Sequence, residues 1–318
     1  MFPLRAGLRF PIMSARLFVT LVGLLKSLRV RSWTKNLFVF AAVLFGRQWS
    51  LEAIGSTAAG VIAFCLLSGS VYLINDVADR KRDRLHPDKK DRPVASGAVS
   101  PGAAVAASIA LAAGVLAVSF AAAPGFAVVG LAYLVLQAFY SLWLKHVVIL
   151  DSLIIAMGFV LRALAGVELA ADRSLDISIS PWLLMCTFFL AIFLAFSKRR
   201  AEIVSLGSSA EEHRAILREY SPHLLDEMIG ISTAASLMSY AIYSVSERTS
   251  QQVSPMLWTT IPFVAFGIFR YLFLVHRKGQ GGSPERILLT DMPLLINILL
   301  WIISVIAILR FFPAGSTL

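Results

Sequence analysis

The sequence predicts an all-α polytopic membrane protein. Three observations carry that expectation. The 318 residues are 58% hydrophobic and 15% charged, with a mean hydropathy of +0.76, whereas soluble domains are nearer 25% charged. Apolar stretches of about 20 residues, the length that crosses a bilayer core, recur along the chain. The Lys and Arg residues gather on alternate connections between those stretches.

Nine transmembrane helices are expected, at 33–49, 53–75, 101–121, 125–144, 147–167, 181–198, 228–247, 256–275 and 289–311. The first is interrupted near its start by Lys35 and Asn36, and the second runs unbroken to Asn75. The third and fourth are rich in Ala, Gly and Val, which suits close helix packing in lipid. The fifth carries Asp151 and Arg162, the sixth closes on Lys198, Arg199, Arg200 and Glu202, the eighth holds Arg270, and Asp291 lies near the start of the ninth. Residues 14–31 read as an amphipathic segment on the cytoplasmic face. Residues 1–31 are therefore expected to be an interfacial N-terminal segment and 32–312 a single transmembrane catalytic domain. The stretch 17–25 is short and ends at Lys26, so no cleaved signal peptide is expected. In the long polar connection 199–227, Ser209 and Glu212 open a short predicted helix as a capping box.

Charge fixes an expected orientation. With the N-terminus in the cytoplasm, the connections after helices two, four, six and eight, counted with the charges at the helix ends that enter them, carry sixteen Lys or Arg, and those after one, three, five and seven carry three. That asymmetry predicts N-in, C-out in the cell inner membrane. It also accounts for the net charge of +10 without a nucleic-acid partner. A homo-oligomer is compatible with the composition. Cys65 and Cys186 lie inside apolar runs, which argues against a disulfide or a metal thiolate.

The chemistry concentrates in NDVADRKRDRLHPDKKDRP, residues 75–93. Asn75, Asp79 and Asp83 are spaced i, i+4, i+8, so a helix that continues past residue 75 sets three oxygen donors on one face. Hard oxygen donors suit Mg²⁺, which commonly shares its shell with substrate phosphates. Arg82, Lys89 and Arg92, among other cations, crowd the same loop and suit a diphosphate–metal complex. Ionisable groups inside spans are functional candidates by default. Tyr140 and Lys145 read either as an interfacial pair or as pocket residues, and Asp151 as a helix-terminal charge or a ligand. Arg162 needs an anionic partner, either Glu168 or a substrate phosphate. Arg270 reads as a snorkelling side chain and Asp291 as a cap.

The chain resembles the UbiA-type intramembrane prenyltransferase superfamily over most of its length. That superfamily has nine transmembrane helices and an NDxxDxxxD motif after the second, matched by Asn75, Asp76, Asp79 and Asp83. SWTKNLFVFAAVLF (32–45), the tail His86 to Pro93, GFVLRALAG (158–166) and SKRRAEI (197–203) resemble its decaprenyl-phosphate phosphoribosyltransferase branch. The resemblance implies Mg²⁺ on Asn75, Asp76, Asp79 and Asp83, with Asn75, Asp79 and Asp83 catalytic. It implies transfer of 5-phosphoribose from phosphoribosyl diphosphate to a polyprenyl phosphate in the membrane. Lys35, Asn36, Arg82, Lys89, Arg92, Tyr140, Lys145, Arg162, Lys198, Arg199 and Glu202 are its substrate-binding candidates. One departure matters: aromatic prenyltransferases of the superfamily carry a second aspartate motif after helix six, where this chain reads KRRAE with Glu202 as the only acid. An aromatic prenyltransferase is the first rival. A transporter with a basic vestibule is the second, and it lacks the expected internal repeat.

Overall fold

The structure, a computed structural model, describes residues 12–46, 49–87, 89–173, 180–206, 215–279, 281–282 and 284–314. Those residues form helices and connections, with no strand among them. In chain order the α-helices are α1 (Ile12–Ser27), α2 (Ala41–Phe45), α3 (Leu51–Ala78), α4 (Arg80–Leu85), α5 (Pro93–Ser96), α6 (Pro101–Ala122) and α7 (Pro124–Leu142). They continue with α8 (Leu150–Asp172), α9 (Pro181–Leu206), α10 (Pro222–Val245), α11 (Glu247–Gln252), α12 (Ile261–Arg277), α13 (Pro284–Thr290) and α14 (Met292–Phe311).

Among the described residues, eight helices are long and apolar enough to cross a membrane: α3, α6, α7, α8, α9, α10, α14, and α12 together with the 3₁₀ turn Leu257–Thr260 before it. They fall on eight of the nine expected stretches. The first, 33–49, is instead a 3₁₀ helix over Val30–Phe40 followed by the short α2. A 3₁₀ run of eleven residues is long, because its hydrogen bonds are poorer than those of an α-helix. Residues 207–214, which include the expected capping box, lie outside the described residues; Ala215–Glu219 is a 3₁₀ turn. Cys65 and Cys186 are both buried, and neither is in a disulfide.

Helix starts are secured where the sequence offers an oxygen. Ser50, Ser100 and Ser221 accept from the amides of Ala53, Ala103 and Leu224, satisfying donors with no partner inside the helix. Helix α7 has no cap of its own. Asp172, at the end of α8, accepts from the Gly125 and Phe126 amides at 3.2 and 3.0 Å and sets a negative charge on the α7 N-terminus. Asp291 caps α14 through Leu294 and takes two hydrogen bonds from Arg270 of α12, at 3.0 and 2.8 Å. Those bonds hold the Asp291 carboxyl below its usual range.

The chain divides into two compact units: Met1–Arg31 with Cys65–Val115, and Ser32–Phe64 with Leu116–Leu318. In the first, Leu24 and Leu28 pack with Leu73, Val94, Val99 and Ala104, so α1 lies on the turn that follows the aspartate loop. The outward side chains Leu17, Phe18, Leu21 and Leu25 of α1 are exposed. In the second unit, α9 packs along α10 and α8 along both α7 and α9. A core of Phe193, Phe196, Leu225, Ile229, Tyr271 and Leu274 joins α9, α10 and α12. Arg200, Asp226 and His276 tie those same three helices together at one end.

The tightest approach in the second unit is between α8 and the 3₁₀ segment. A Cβ at Gly166 would run into the Val39 carbonyl oxygen and lie 3.0 Å from its carbonyl carbon. Both neighbours are backbone, so neither can rotate away. Gly166→Ala is therefore expected to destabilise the protein by about 3 kcal/mol, the upper end of overpacking costs. Gly230→Ala, where an added Cβ meets open space, is expected to leave the thermal midpoint in detergent unchanged or slightly raised. Unfolding of both variants followed by circular dichroism checks the contrast.

Candidate active site

The aspartate motif lies in the first unit, where α3 passes into α4. Helical geometry continues through the junction: Asp79 donates its amide to the Asn75 carbonyl and Asp83 to that of Asp79, both at 2.9 Å. Only the Asp79 backbone, at φ −91° and ψ 3°, departs from the helix. The expected i, i+4, i+8 face over Asn75, Asp79 and Asp83 therefore forms. Asn75 and Asp79 are half-buried, while Asp76 and Asp83 are 2% and 4% exposed.

Those two buried carboxylates are neutralised by arginines from distant positions. Arg92 Nη1 lies 2.7 Å from Asp83 Oδ2 and 3.3 Å from Asp76 Oδ1, so one nitrogen serves both acids. Arg29 also pairs with Asp76 Oδ1 and stacks its guanidinium 4.8 Å from the centre of the Tyr72 ring. Arg29 holds a positive φ of 52°, unusual for a residue with a Cβ. Arg84 donates to the Ala95 carbonyl at 2.8 Å and closes the loop onto α5. Arg82 is exposed and Lys89 half-buried.

Among the described residues, no three acidic, His or Cys side chains gather as a ready metal cage. Mg²⁺ commonly takes one or two carboxylates and completes its shell with water and substrate oxygens. The oxygen donors Asn75, Asp79 and Asp83, on one helical face, fit that habit.

The remaining candidates lie in the second unit. Arg199 is 3% exposed; it pairs with Glu202 one turn on and sits 3.3 Å from Asp151 Oδ2. Asp151 is fully buried and accepts from the Tyr220 hydroxyl at 2.9 Å. That hydroxyl accepts in turn from the Ile149 amide at 2.6 Å. Ile149 has a φ of 68°, a strained value for a β-branched residue. Burial first, and the Asp151 charge second, push the Tyr220 hydroxyl up to about 12, so it stays a donor at neutral pH. Asp151 is thus neither a simple helix charge nor an open ligand. Lys198, Tyr140, Lys145 and Lys35 are half-buried.

Arg162 finds several partners within the protein. It does not pair with Glu168. Its Nε donates to Asn36 Oδ1 at 2.8 Å, Nη1 to the Gly158 carbonyl at 2.6 Å and Nη2 to the Tyr133 hydroxyl at 3.1 Å. The rings of Phe64, Tyr133 and Phe159 lie 4.9 to 5.6 Å from its guanidinium carbon. Asn36, a substrate-binding candidate from sequence, accepts one of those hydrogen bonds.

Sequence reasoning missed Arg29, Tyr133 and Tyr220. Arg29 carries no signal in the sequence beyond being one basic residue of the N-terminal segment. Tyr133 had a signal, since Tyr133, Gln137 and Tyr140 recur at i, i+4, i+7 along an otherwise apolar helix. Tyr220 had none, because its partners lie about 70 positions away.

Comparison with known proteins adds identity to this geometry. A family model described as the UbiA prenyltransferase family matches residues 17–290. A decaprenyl-phosphate phosphoribosyltransferase of Corynebacterium glutamicum is 33% identical over 300 residues, covering 92% of this chain and 88% of its own. The protein of that name from Mycolicibacterium smegmatis is 33% identical over 302 residues, covering 91% and 93%. Among solved structures, a UbiA homolog from Archaeoglobus fulgidus bound to GPP and Mg²⁺ aligns with a TM-score of 0.68 at 22% identity, over 91% of this chain and 99% of its own. At that identity the likeness establishes the fold.

Tyr220→Phe removes one buried hydrogen bond to Asp151 and the acceptor of the Ile149 amide. A loss of about 1–3 kcal/mol is expected, read as a lower thermal midpoint in detergent. The raised hydroxyl also fixes a pH window. A group held protonated in the folded state contributes fully below its ordinary value near 10. That contribution is lost as pH rises toward about 12. Stability of the parent protein is expected to fall across that window more steeply than that of Tyr220→Phe.

Proposed function

The chain belongs to the UbiA prenyltransferase family, and from that premise we propose that it transfers 5-phosphoribose from phosphoribosyl diphosphate to a decaprenyl-type polyprenyl phosphate, releasing diphosphate. The observation that carries this reading is one-third identity, sustained over nine-tenths of the chain, to relatives named for that activity. KRRAE in place of a second aspartate motif, with its one acid tied to Arg199, supports it over aromatic prenylation.

Asn75, Asp79 and Asp83 are the residues that would hold Mg²⁺, with Asp76 beside them. The metal, when bound, neutralises charge on the leaving diphosphate. Arg82, Lys89 and Arg92 bind that same diphosphate by charge-assisted hydrogen bonds. Lys198 takes the 5-phosphate. Arg199, paired with Glu202 and beside Asp151, holds the end of α9 that presents Lys198. Lys35, Lys145 and Tyr140 receive the lipid phosphate, which is already an anionic nucleophile and needs no strong general base. Arg162 and Asn36 act on that site by fixing the 3₁₀ segment that carries Lys35. Loss of the diphosphate leaves oxocarbenium character on the ribose, as in other glycosyl transfers.

The protein is a multi-pass membrane protein, with eight candidate spans among the described residues. We read Val30–Phe45 as a ninth crossing: at about 2.0 Å per 3₁₀ residue and 1.5 Å per α residue it reaches about 30 Å, the thickness of a hydrocarbon core. We read the described part of residues 1–31, up to the start of that crossing, as an interfacial segment ahead of one catalytic domain, 32–312. The charge asymmetry supports a cytoplasmic N-terminus, an external C-terminus and a cytoplasmic site in the cell inner membrane.

Purified protein given Mg²⁺, polyprenyl phosphate and phosphoribosyl diphosphate is expected to form lipid-linked phosphoribose, detected by mass spectrometry and abolished by EDTA. Turnover of a prenyl diphosphate with an aromatic acceptor in its place would overturn the assignment. Asp79→Asn is the variant of choice, because Asp79 is half-buried whereas Asp83 is almost sealed from water. It is expected to lower kcat by at least about 100-fold with an unchanged unfolding midpoint. Lys198→Ala is expected to raise KM for the donor more than for the lipid.

A further inference from the structure

Resting on the diphosphate-donor reading, we propose that Arg92 is an exchangeable counterion: it holds Asp76 and Asp83 until the donor arrives, so the divalent cation binds together with the diphosphate and not before it.

The argument begins with charge. Two carboxylates, Asp76 and Asp83, and two guanidiniums, Arg29 and Arg92, form one connected set within the first unit, and their charges cancel. The carboxylates are almost sealed from water, with side chains 2% and 5% exposed. A divalent cation entering alone would leave that set net positive, even with the Asp79 carboxylate counted, in a site with little solvent to screen it. It would also displace Arg92 from Asp83 and give the freed guanidinium nothing in return. A diphosphate changes both terms: its negative charge offsets the cation, and its oxygens offer Arg92 charge-assisted bonds at least as good as those it gives up.

The surroundings of Arg92 favour such an exchange. Its side chain is 29% exposed, so it reaches both solvent and the carboxylates. Its backbone is extended, at φ −61° and ψ 142°, and Pro93 follows as the first residue of α5. The anchor is therefore fixed while the guanidinium can move. Arg84, by contrast, is fastened to the Ala95 carbonyl, a partner that no substrate anion would replace. Arg29 remains on Asp76 through the exchange, held over Tyr72, and keeps that buried acid neutralised.

The test measures binding rather than turnover, on the full chain in detergent. Mn²⁺ binding without donor is followed by loss of the free-ion paramagnetic resonance signal. Retention of phosphoribosyl diphosphate is followed by equilibrium dialysis with and without Mn²⁺. The parent protein is expected to bind the donor about tenfold or more tightly when Mn²⁺ is present, and by reciprocity to bind Mn²⁺ poorly alone. Arg92→Gln is expected to bind Mn²⁺ alone about tenfold more tightly than the parent and to retain the donor less well. Equal Mn²⁺ affinity in the two proteins, with donor still retained, overturns the proposal and leaves the phosphoribosyl reading intact. A parent protein that binds Mn²⁺ equally well with and without donor overturns it too, whatever the stability of the variant. If the parent retains no donor under any condition, the premise fails and the proposal falls with it.

Discussion

A charge inside hydrocarbon has to be satisfied by the protein itself, and Arg162 shows how much structure that requirement can organise. Its three hydrogen bonds run to Asn36 in the 3₁₀ segment, Tyr133 on α7 and the carbonyl of Gly158 one turn back on α8. Three elements are thereby fastened at one point without any acid. The GFVLRALAG stretch gains a physical meaning from this. Gly158, Arg162 and Gly166 are spaced i, i+4, i+8, so they form a single stripe of α8. The first glycine leaves room for the guanidinium to fold back along the helix, and the second admits the Val39 backbone. The long 3₁₀ helix, costly on its own, persists because this stripe grips it. Phe38 adds an edge contact to the Phe159 ring at 5.2 Å.

The first unit answers the same requirement with the signs reversed. Here the acids are buried and the arginines come to them from the rim. Asp76 and Asp83, seven apart on one helical ladder, share Arg92, and Asp76 has Arg29 besides. Burying carboxylates without such partners would cost several kcal/mol each. The pairing also fixes the loop: Arg92 and Arg84 draw residues 84–95 back against the end of α3, where Val94 and Val99 pack on Leu73. The aspartate loop therefore supplies the residues that close it.

This division explains what the sequence disclosed. Eight spans were legible because twenty apolar residues in a row leave few alternatives to a crossing helix. The stretch at 33–49 was misread as an ordinary α-helix because its geometry is imposed by Arg162 and Gly166, more than a hundred positions away. The aspartate face was legible because i, i+4, i+8 is a local rule that survives the irregular backbone at Asp79. Its partners were not. Arg29 lies 47 positions from Asp76, and nothing near Arg29 foretells its left-handed backbone. Asp151 and Arg199 were each singled out as polar residues at helix ends, yet only the packing of α8 on α9 makes them one pair.

Exposure then sorts the cations into those that hold the fold and those that can serve a ligand. A side chain that must trade a protein partner for a substrate needs a path to water, or the exchange strands a bare charge in low dielectric. Arg162 and Arg199, 5% and 3% exposed, have no such path. Arg29 and Arg92, at 30% and 29%, do, and Lys35, Lys145 and Lys198 are likewise half-buried. On our functional reading, the phosphates of donor and lipid meet the second group, and the first keeps the helices in place. The deepest arginines, which look most catalytic in a hydropathy profile, are then the ones least able to take part in the reaction.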